Sequence, residues 1–338
     1  MTETTHTPHR VLVTGSAGFI GTSFVHRALD DDRELSIVSL DALTYAGTRA
    51  NLEGMPHAAR HTFVEGDICD AALVAKLLRA HDIDTVVHFA AESHVDRSIT
   101  GPSAFIQTNV VGTFTLLEEA RQYWLGAAKR SDVRFHHIST DEVFGSLGRH
   151  APPFHETTRY SPNSPYSASK AGSDHLVRAY FHTYGLPVSI TNCSNNYSPY
   201  QHDEKFIPTV IRSCLAGKAI PVYGDGSNIR DWLYVDDHVR AILDVVRHGE
   251  LGETYNVGGD NECANLDIVR QLCALMDEAS PSGAPHARLI TFVTDRPGHD
   301  WRYAVDASKI RTLGWAPRET FESGLRKTVA WYVAKRAT

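Results

Sequence analysis

The run Gly15-Ser16-Ala17-Gly18-Phe19-Ile20-Gly21 constrains this chain more than any other feature. It follows a β-branched stretch, Arg10 to Val13, and opens an amphipathic one, Phe19 to Leu29, so it reads as a strand, a tight turn and a helix. Glycines at such a junction let backbone N–H groups approach a pyrophosphate at the helix N-terminus. Asp41 ends the next predicted strand, 20 residues beyond Gly21. A carboxylate there hydrogen-bonds adenosine ribose hydroxyls and repels a 2′-phosphate, so the expected cofactor is NAD rather than NADP. Gly66-Asp67-Ile68 ends the third strand, where Asp67 can face the adenine.

The pattern continues beyond the turn. Ser36 to Leu40, His61 to Val64, Thr85 to Phe89, Arg134 to Ile138 and Val188 to Asn192 read as strands. Ala71 to Arg79, Ser103 to Gln122 and Tyr166 to Tyr184 read as the helices between them. Alternation of this kind predicts an α/β fold, a Rossmann-type doubly wound parallel sheet. After Tyr197 the turns Ser198-Pro199, Gly224-Asp225-Gly226 and Arg296-Pro297-Gly298 punctuate shorter elements, such as a helix over Leu266 to Met276, and predict a smaller C-terminal α/β substrate lobe. The expected division is a flexible tail at 1–9, a dinucleotide-binding domain at 10–196, and a lobe at 197–338 with some segments returning to the first domain.

Bulk properties exclude several classes. A net charge of -7 gives no electrostatic footprint for nucleic acid or an anionic membrane, so an anionic substrate must be met locally. No apolar run is long enough to span a bilayer and the first nine residues lack a signal-peptide core, which predicts a cytoplasmic protein. The 5 cysteines form no C-x-x-C pair, and the 19 histidines lack convergent ligand spacing, so no disulfide framework and no metal site is expected.

Tyr166 and Lys170 stand four positions apart on a predicted helix and so share one face. A phenol is a weak base near neutrality, but a neighbouring ammonium and an oxidised nicotinamide both favour its phenolate, which can take the proton of an alcohol as hydride leaves carbon. Lys170 is also placed to hold the nicotinamide ribose. Thr140 ends the fifth strand at the carboxyl edge of the sheet and can hydrogen-bond the same alcohol oxygen. Asp141 and Glu142 follow it, two carboxyl groups that alcohol oxidation does not require. After oxidation to a ketone, the proton on the adjacent carbon becomes acidic; a base and an acid can then remove it and protonate a leaving hydroxyl.

His88 to Ser98, Ser139 to Gly145, Tyr166 to Lys170 and Thr191 to Tyr197 together resemble the dTDP-glucose 4,6-dehydratases of bacterial deoxysugar pathways, extended short-chain dehydrogenases, and the resemblance runs from Val11 to about Trp331. It implies that Tyr166 serves oxidation at carbon 4, Glu142 removes the carbon 5 proton, Asp141 protonates the departing carbon 6 hydroxyl, and hydride then returns to carbon 6. The implied cofactor set is Gly15, Gly18, Phe19, Ile20, Gly21, Asp41, Asp67, Ile68, Ala90, Tyr166 and Lys170, with Asn109 linking the lysine to solvent through water. The implied substrate set is His94, Asn195, Glu204, Lys205, Arg230, Asn265, Arg296 and His299, with Tyr223 stacked on thymine. Arg and His donors there suit phosphate oxygens. A homodimer is implied, joined through the helices around 103–122 and 166–184.

The chain departs from that pattern at Ser198, where the family has glycine, at His202-Asp203, and at Phe144 in place of tyrosine. If position 198 needs positive φ, serine brings strain. Alternative readings are a UDP-glucose 4,6-dehydratase, an NAD-dependent epimerase or decarboxylase, and a silent NAD-binding sensor.

Overall fold

A computed structural model describes residues 5–55, 57–295 and 298–337. The first half lays down β1 (Arg10–Thr14), α1 (Phe19–Asp31), β2 (Ser36–Asp41), β3 (His61–Glu65), α2 (Ala71–Ala80), β4 (Thr85–His88), α3 (Val95–Thr100), α4 (Pro102–Phe105), α5 (Thr113–Arg121), β5 (Arg134–Thr140), α6 (Pro165–Tyr184) and β6 (Val188–Cys193). Each predicted strand and helix in this half is present, displaced at its ends by a few residues. The helix expected over Ser103 to Gln122 is a longer run, with π-helical turns at Ile106–Gly112 and Gln122–Ala127 on either side of α5.

The later elements are β7 (Asn195–Tyr197), α7 (Phe206–Ala216), β8 (Ile220–Tyr223), β9 (Ile229–Tyr234), α8 (Val235–His248), β10 (Thr254–Val257), β11 (Glu262–Ala264), α9 (Asn265–Ala279), β12 (Ile290–Val293), α10 (Ser308–Arg311) and α11 (Phe321–Ala337). Seven parallel strands form the main sheet in the order β10-β6-β5-β4-β1-β2-β3. β10 therefore returns from the C-terminal half to the edge beside β6. Small sheets β11-β9-β7 and β12-β8 support the rest.

Central strands of a parallel sheet are covered on both faces and tolerate little exposure. β4 and β5 are buried at every residue. Leu12, Val86 and Phe135 face α2, α5 and α6 in one apolar cluster, while Val11, Val13 and Val87 face α1 and α8 in another. A third cluster, with Tyr197, Trp232, Ile268 and Leu325, is the core of the second lobe. α6 is fixed at its start by a Ser164–Ser167 capping box and Pro165, which places Tyr166 and Lys170 on its buried face.

Two expectations change. The stretch expected to fray is tied down at His6, whose backbone N–H donates to Arg247 O at 2.8 Å and whose ring lies 2.8 Å from Thr85 Oγ1. Ser198 is not among the residues with positive φ; Tyr200, φ 66, takes that conformation two residues later, and Ser198 is buried with its hydroxyl on Pro199 O. Among the described residues no helix is long and apolar enough to cross a membrane.

Candidate active site

Strand order reverses between β1 and β4, and the chain segments leaving their carboxyl ends open a cleft there, as expected for an open α/β sheet. Gly15 has φ 69, and a Cβ on it would lie 2.6 Å from Ala90 N; a Cβ on Gly21 would lie 2.2 Å from Gly15 O. Both positions therefore require glycine. No side chain caps α1 and no acidic residue occupies its first turn, so the N–H groups beginning at Phe19 face the cleft with the positive end of the helix dipole. This cradle fits the diphosphate of a dinucleotide.

Asp41 lines the same cleft, and its carboxylate is oriented by N–H donors from Ala17 and Leu43, each at 2.8 Å. Burial raises its pKa against those two hydrogen bonds. Gly18, Ile20, Asp67, Ile68 and Ala90 complete this end of the cleft, with Asp67 accepting a bond from Cys69 N.

The catalytic candidates converge at the opposite end. Thr140 is the last residue of β5 and the N-cap of a short turn, Asp141–Phe144, accepting a hydrogen bond from Glu142 N at 3.3 Å. Its own hydroxyl donates to Asp141 Oδ1 at 3.3 Å. Asp141 is 2% exposed and its Oδ2 has no partner. Burial, then the neighbouring Glu142, hold the Asp141 carboxyl well above its ordinary pKa, which suits an acid with a proton to give.

Burial and then Glu142 push the Tyr166 hydroxyl well above its usual value, against a smaller lowering by Thr140. Lys170, expected to support the phenolate, instead donates to Ile138 O at 2.8 Å and lies 3.2 Å from His137 Nε2. Burial pushes its pKa down to about 8, while Asp174 raises it. Asp174 is 3.2 Å from His137 and accepts bonds from Ser139 and Tyr160. Asp174 was missed in the sequence although it stands four residues after Lys170, a spacing that places both on one helix face.

Asn109 lies behind the cleft rather than in its wall. It exchanges two hydrogen bonds with the Glu92 backbone and donates to Ser169, fastening the segment after β4 to α6. At the mouth, Asn195 and Lys205 line the cleft, with Lys205 donating to Ser93 O and Asn195 Oδ1 buried without a partner. Glu204 is held by Arg97 at 2.6 Å and lies 3.6 Å from His94, while the Arg97 guanidinium sits 4.2 Å over the Tyr45 ring. Arg97 and Tyr45 thus connect three segments around the opening; Arg97 falls within the His88 to Ser98 run, although its partners are not announced there, and no short motif announces Tyr45. Tyr45 and His202 meet edge to face, which gives the His202 departure a place in this rim. Phe144 stacks on Phe154 away from the reacting groups.

The remaining substrate candidates sit farther along the second lobe. Arg230 is buried, donates to the carbonyls of Ile229, Trp301 and Asp300, and lies 4.2 Å over Tyr303; its charge reaches Asp141. Exposed Tyr223 meets His299 edge on, and His299 is bonded to Asp295 at 2.6 Å. Asn265 opens α9 with its N–H on Asn228 O. Arg296 lies outside the described residues. No group of three His, Cys, Asp or Glu among the described residues is arranged to hold a metal.

A dinucleotide cradle at one end of a cleft and a Thr, Tyr and Lys set at the other define the class: a dinucleotide-dependent enzyme of the extended short-chain dehydrogenase type. The family model for GDP-mannose 4,6 dehydratase matches residues 12–328. The chain is 56% identical over 336 residues to dTDP-glucose 4,6-dehydratase 1 of Escherichia coli K12, covering 96% of this chain and 93% of that one. It is 58% identical over 330 residues to the dTDP-glucose 4,6-dehydratase of Xanthomonas campestris, with the same coverage of 96% and 93%. The crystal structure of DesIV, a dTDP-glucose 4,6-dehydratase from Streptomyces venezuelae with NAD and dTDP bound, superposes with a TM-score of 0.88 at 47% identity, covering 97% of this chain and 98% of that one. The chain belongs to this dehydratase family and, within it, to the dTDP-glucose 4,6-dehydratases.

If Lys170 must be charged for turnover, activity falls as pH rises through about 8, because the lysine loses its proton there. Asp174 stabilises that charge, so Asp174→Asn moves the alkaline limb to lower pH. Initial rates across pH for both proteins check this; an unmoved limb removes Asp174 from the lysine's support, whose other facing groups are His88, His137 and Cys193.

Proposed function

We propose that the protein converts dTDP-glucose to dTDP-4-keto-6-deoxyglucose in deoxysugar biosynthesis. The observation that carries this reading is the buried Asp141 carboxyl beside Glu142, one residue beyond Thr140 at the cofactor edge. Oxidation alone needs neither carboxyl; elimination of water needs both an acid and a base.

Residues 10–196, with β10 returning, hold NAD, and 197–338 mainly hold the nucleotide sugar. Gly15, Gly18 and Gly21 admit the diphosphate, Asp41 orients the ribose, and Lys170 turns toward the nicotinamide ribose. Bound NAD supplies a hydride acceptor that later returns the hydride, and a positive charge that favours the Tyr166 phenolate. Tyr166 takes the proton from the carbon 4 hydroxyl, with Thr140 holding that oxygen. Glu142 removes the carbon 5 proton, which the new ketone acidifies, and Asp141 protonates the carbon 6 hydroxyl as it leaves. Glu142 then gives its proton back to carbon 5. Asn195, Lys205, Arg230 and His299 are the donors for the nucleotide diphosphate, with Tyr223 against the base.

A homodimer accounts for an otherwise exposed apolar surface. Ile106, Val111 and Phe114 project from the helical run on either side of Asn109, and Ala168, Gly172 and Ala179 form an accessible small-residue stripe on α6. Two such helix pairs form a four-helix interface across a twofold axis. The free cysteines accord with a cytoplasmic location.

Incubation with dTDP-glucose is expected to give a 4-keto-6-deoxy product lighter by one water. Glu142→Gln and Asp141→Asn are each expected to lose on the order of 10²-fold or more in rate. Full turnover in both variants would contradict the elimination roles and favour an epimerase. For the assembly, sedimentation velocity at micromolar concentration is expected to give a dimer that Phe114→Glu dissociates; a stable wild-type monomer rules the interface out.

A further inference from the structure

The diphosphate site of the dehydratase reading, on which this inference rests, stands in the second lobe, whereas Tyr166 stands at the start of α6 in the first. Residues 300–303 run between the two as a strap. On one side the strap meets the start of β9: Ile229 N donates to Trp301 O at 2.9 Å, Tyr303 N to Ile229 O at 3.1 Å, and Asn228 Nδ2 to Asp300 O at 3.2 Å. On the other it meets the chain just after the Asp141–Phe144 turn, where Trp301 N donates to Ser146 Oγ at 2.8 Å and Leu147 N to Arg302 O at 3.0 Å.

Arg230 is built into this strap. Its guanidinium donates to Ile229 O at 2.7 Å, Asp300 O at 2.9 Å and Trp301 O at 3.3 Å, and lies 4.2 Å over the Tyr303 ring. The Asp300 side chain carries the contacts onward. A carboxylate offers acceptors only. Oδ2 takes the Tyr303 hydroxyl, and Oδ1 takes Asn163 Nδ2 at 2.7 Å. Asn163 directly precedes Ser164, the N-cap of α6, and Tyr166 is the second residue of that helix. Contacts thus lead without a break from Arg230, through Tyr303 and Asp300, to the residue before the cap.

We propose that Asp300 is a positioning residue, coupling occupation of the Arg230 site by a diphosphate to the placement of Tyr166. An anion on Arg230 forms charge-assisted bonds to the guanidinium and fixes with it the Tyr303 ring and the carbonyls of residues 300 and 301. Asp300 passes that restraint to Asn163 and the α6 cap. Binding energy from the non-reacting diphosphate is thereby used to align the reacting hydroxyl with its base. Asp300 acts through these neighbours and takes no part in proton transfer.

The test titrates the NAD-loaded enzyme with dTDP, which carries the diphosphate but no sugar to touch Tyr166. Amide hydrogen exchange across residues 163–170 is followed by mass spectrometry. In wild type, saturating dTDP is expected to slow that exchange about 10-fold. Asn163→Ala cuts the link at its α6 end and leaves Asp300, Tyr303 and Arg230 in place; Asn163 is exposed, so its loss opens no cavity in the core. This variant is expected to bind dTDP within about 3-fold of wild type yet to show less than about 2-fold slowing. With dTDP-glucose its kcat is expected to fall about 10-fold with KM little changed. Tyr303→Phe, which keeps the ring under Arg230 and removes the bond to Asp300, is expected to behave alike. Unchanged exchange in wild type at saturating dTDP overturns the coupling, as does full slowing in either variant, the result that a packing role alone would give. Failure of wild type to bind dTDP would instead defeat the diphosphate reading itself.

Discussion

The reversal of strand order between β1 and β4 is the constraint on which the rest depends. All seven strands run parallel, so their carboxyl ends share one edge, and the reversal opens a cleft at that edge. The Gly15 turn leaves β1 there, the segment through Ala90 leaves β4, and Thr140 ends β5. Cofactor cradle and reacting groups are thereby brought together from positions more than a hundred residues apart. α6 adds Tyr166 and Lys170 because its capping box fixes where the helix starts.

Burial at this edge has opposite effects on groups of opposite charge. It raises Asp141, which becomes a carboxyl able to donate, and lowers Lys170, which remains charged through its neighbours. The same desolvation makes Tyr166 a reluctant phenolate, so base catalysis there depends on positive charge arriving beside it. Thr140 stands among these groups where the strand ends and the turn begins, its hydroxyl donating to Asp141 and accepting from Glu142 N.

Much of this was legible in the sequence because it is local. A glycine turn between strand and helix, a Tyr and Lys one helical turn apart, and a Thr-Asp-Glu run at a strand end each carry their chemistry in adjacent residues. Features formed across long separations were not legible. Arg97 meets Glu204 and Tyr45, and Asp300 meets Arg230, through chain folding that no spacing encodes. Asn109 was read by resemblance as linking the lysine to solvent through water; its bonds to Glu92 and Ser169, which clamp two segments together, were not legible. Ser198 illustrates a different limit: the conformational demand expected there falls on Tyr200, because the loop distributes its turn differently.

The most direct measurement of the central claim, internal oxidation followed by elimination and hydride return, uses dTDP-glucose carrying deuterium at carbon 4, mixed with an equal amount of unlabelled substrate. NMR and mass spectrometry of the product locate the label. The account predicts deuterium at carbon 6 of 4-keto-6-deoxy product derived from the labelled molecules, with no transfer to the unlabelled ones. Label retained at carbon 4 in a product of unchanged mass would contradict elimination, and label lost to water or spread between molecules would contradict hydride return within one closed site.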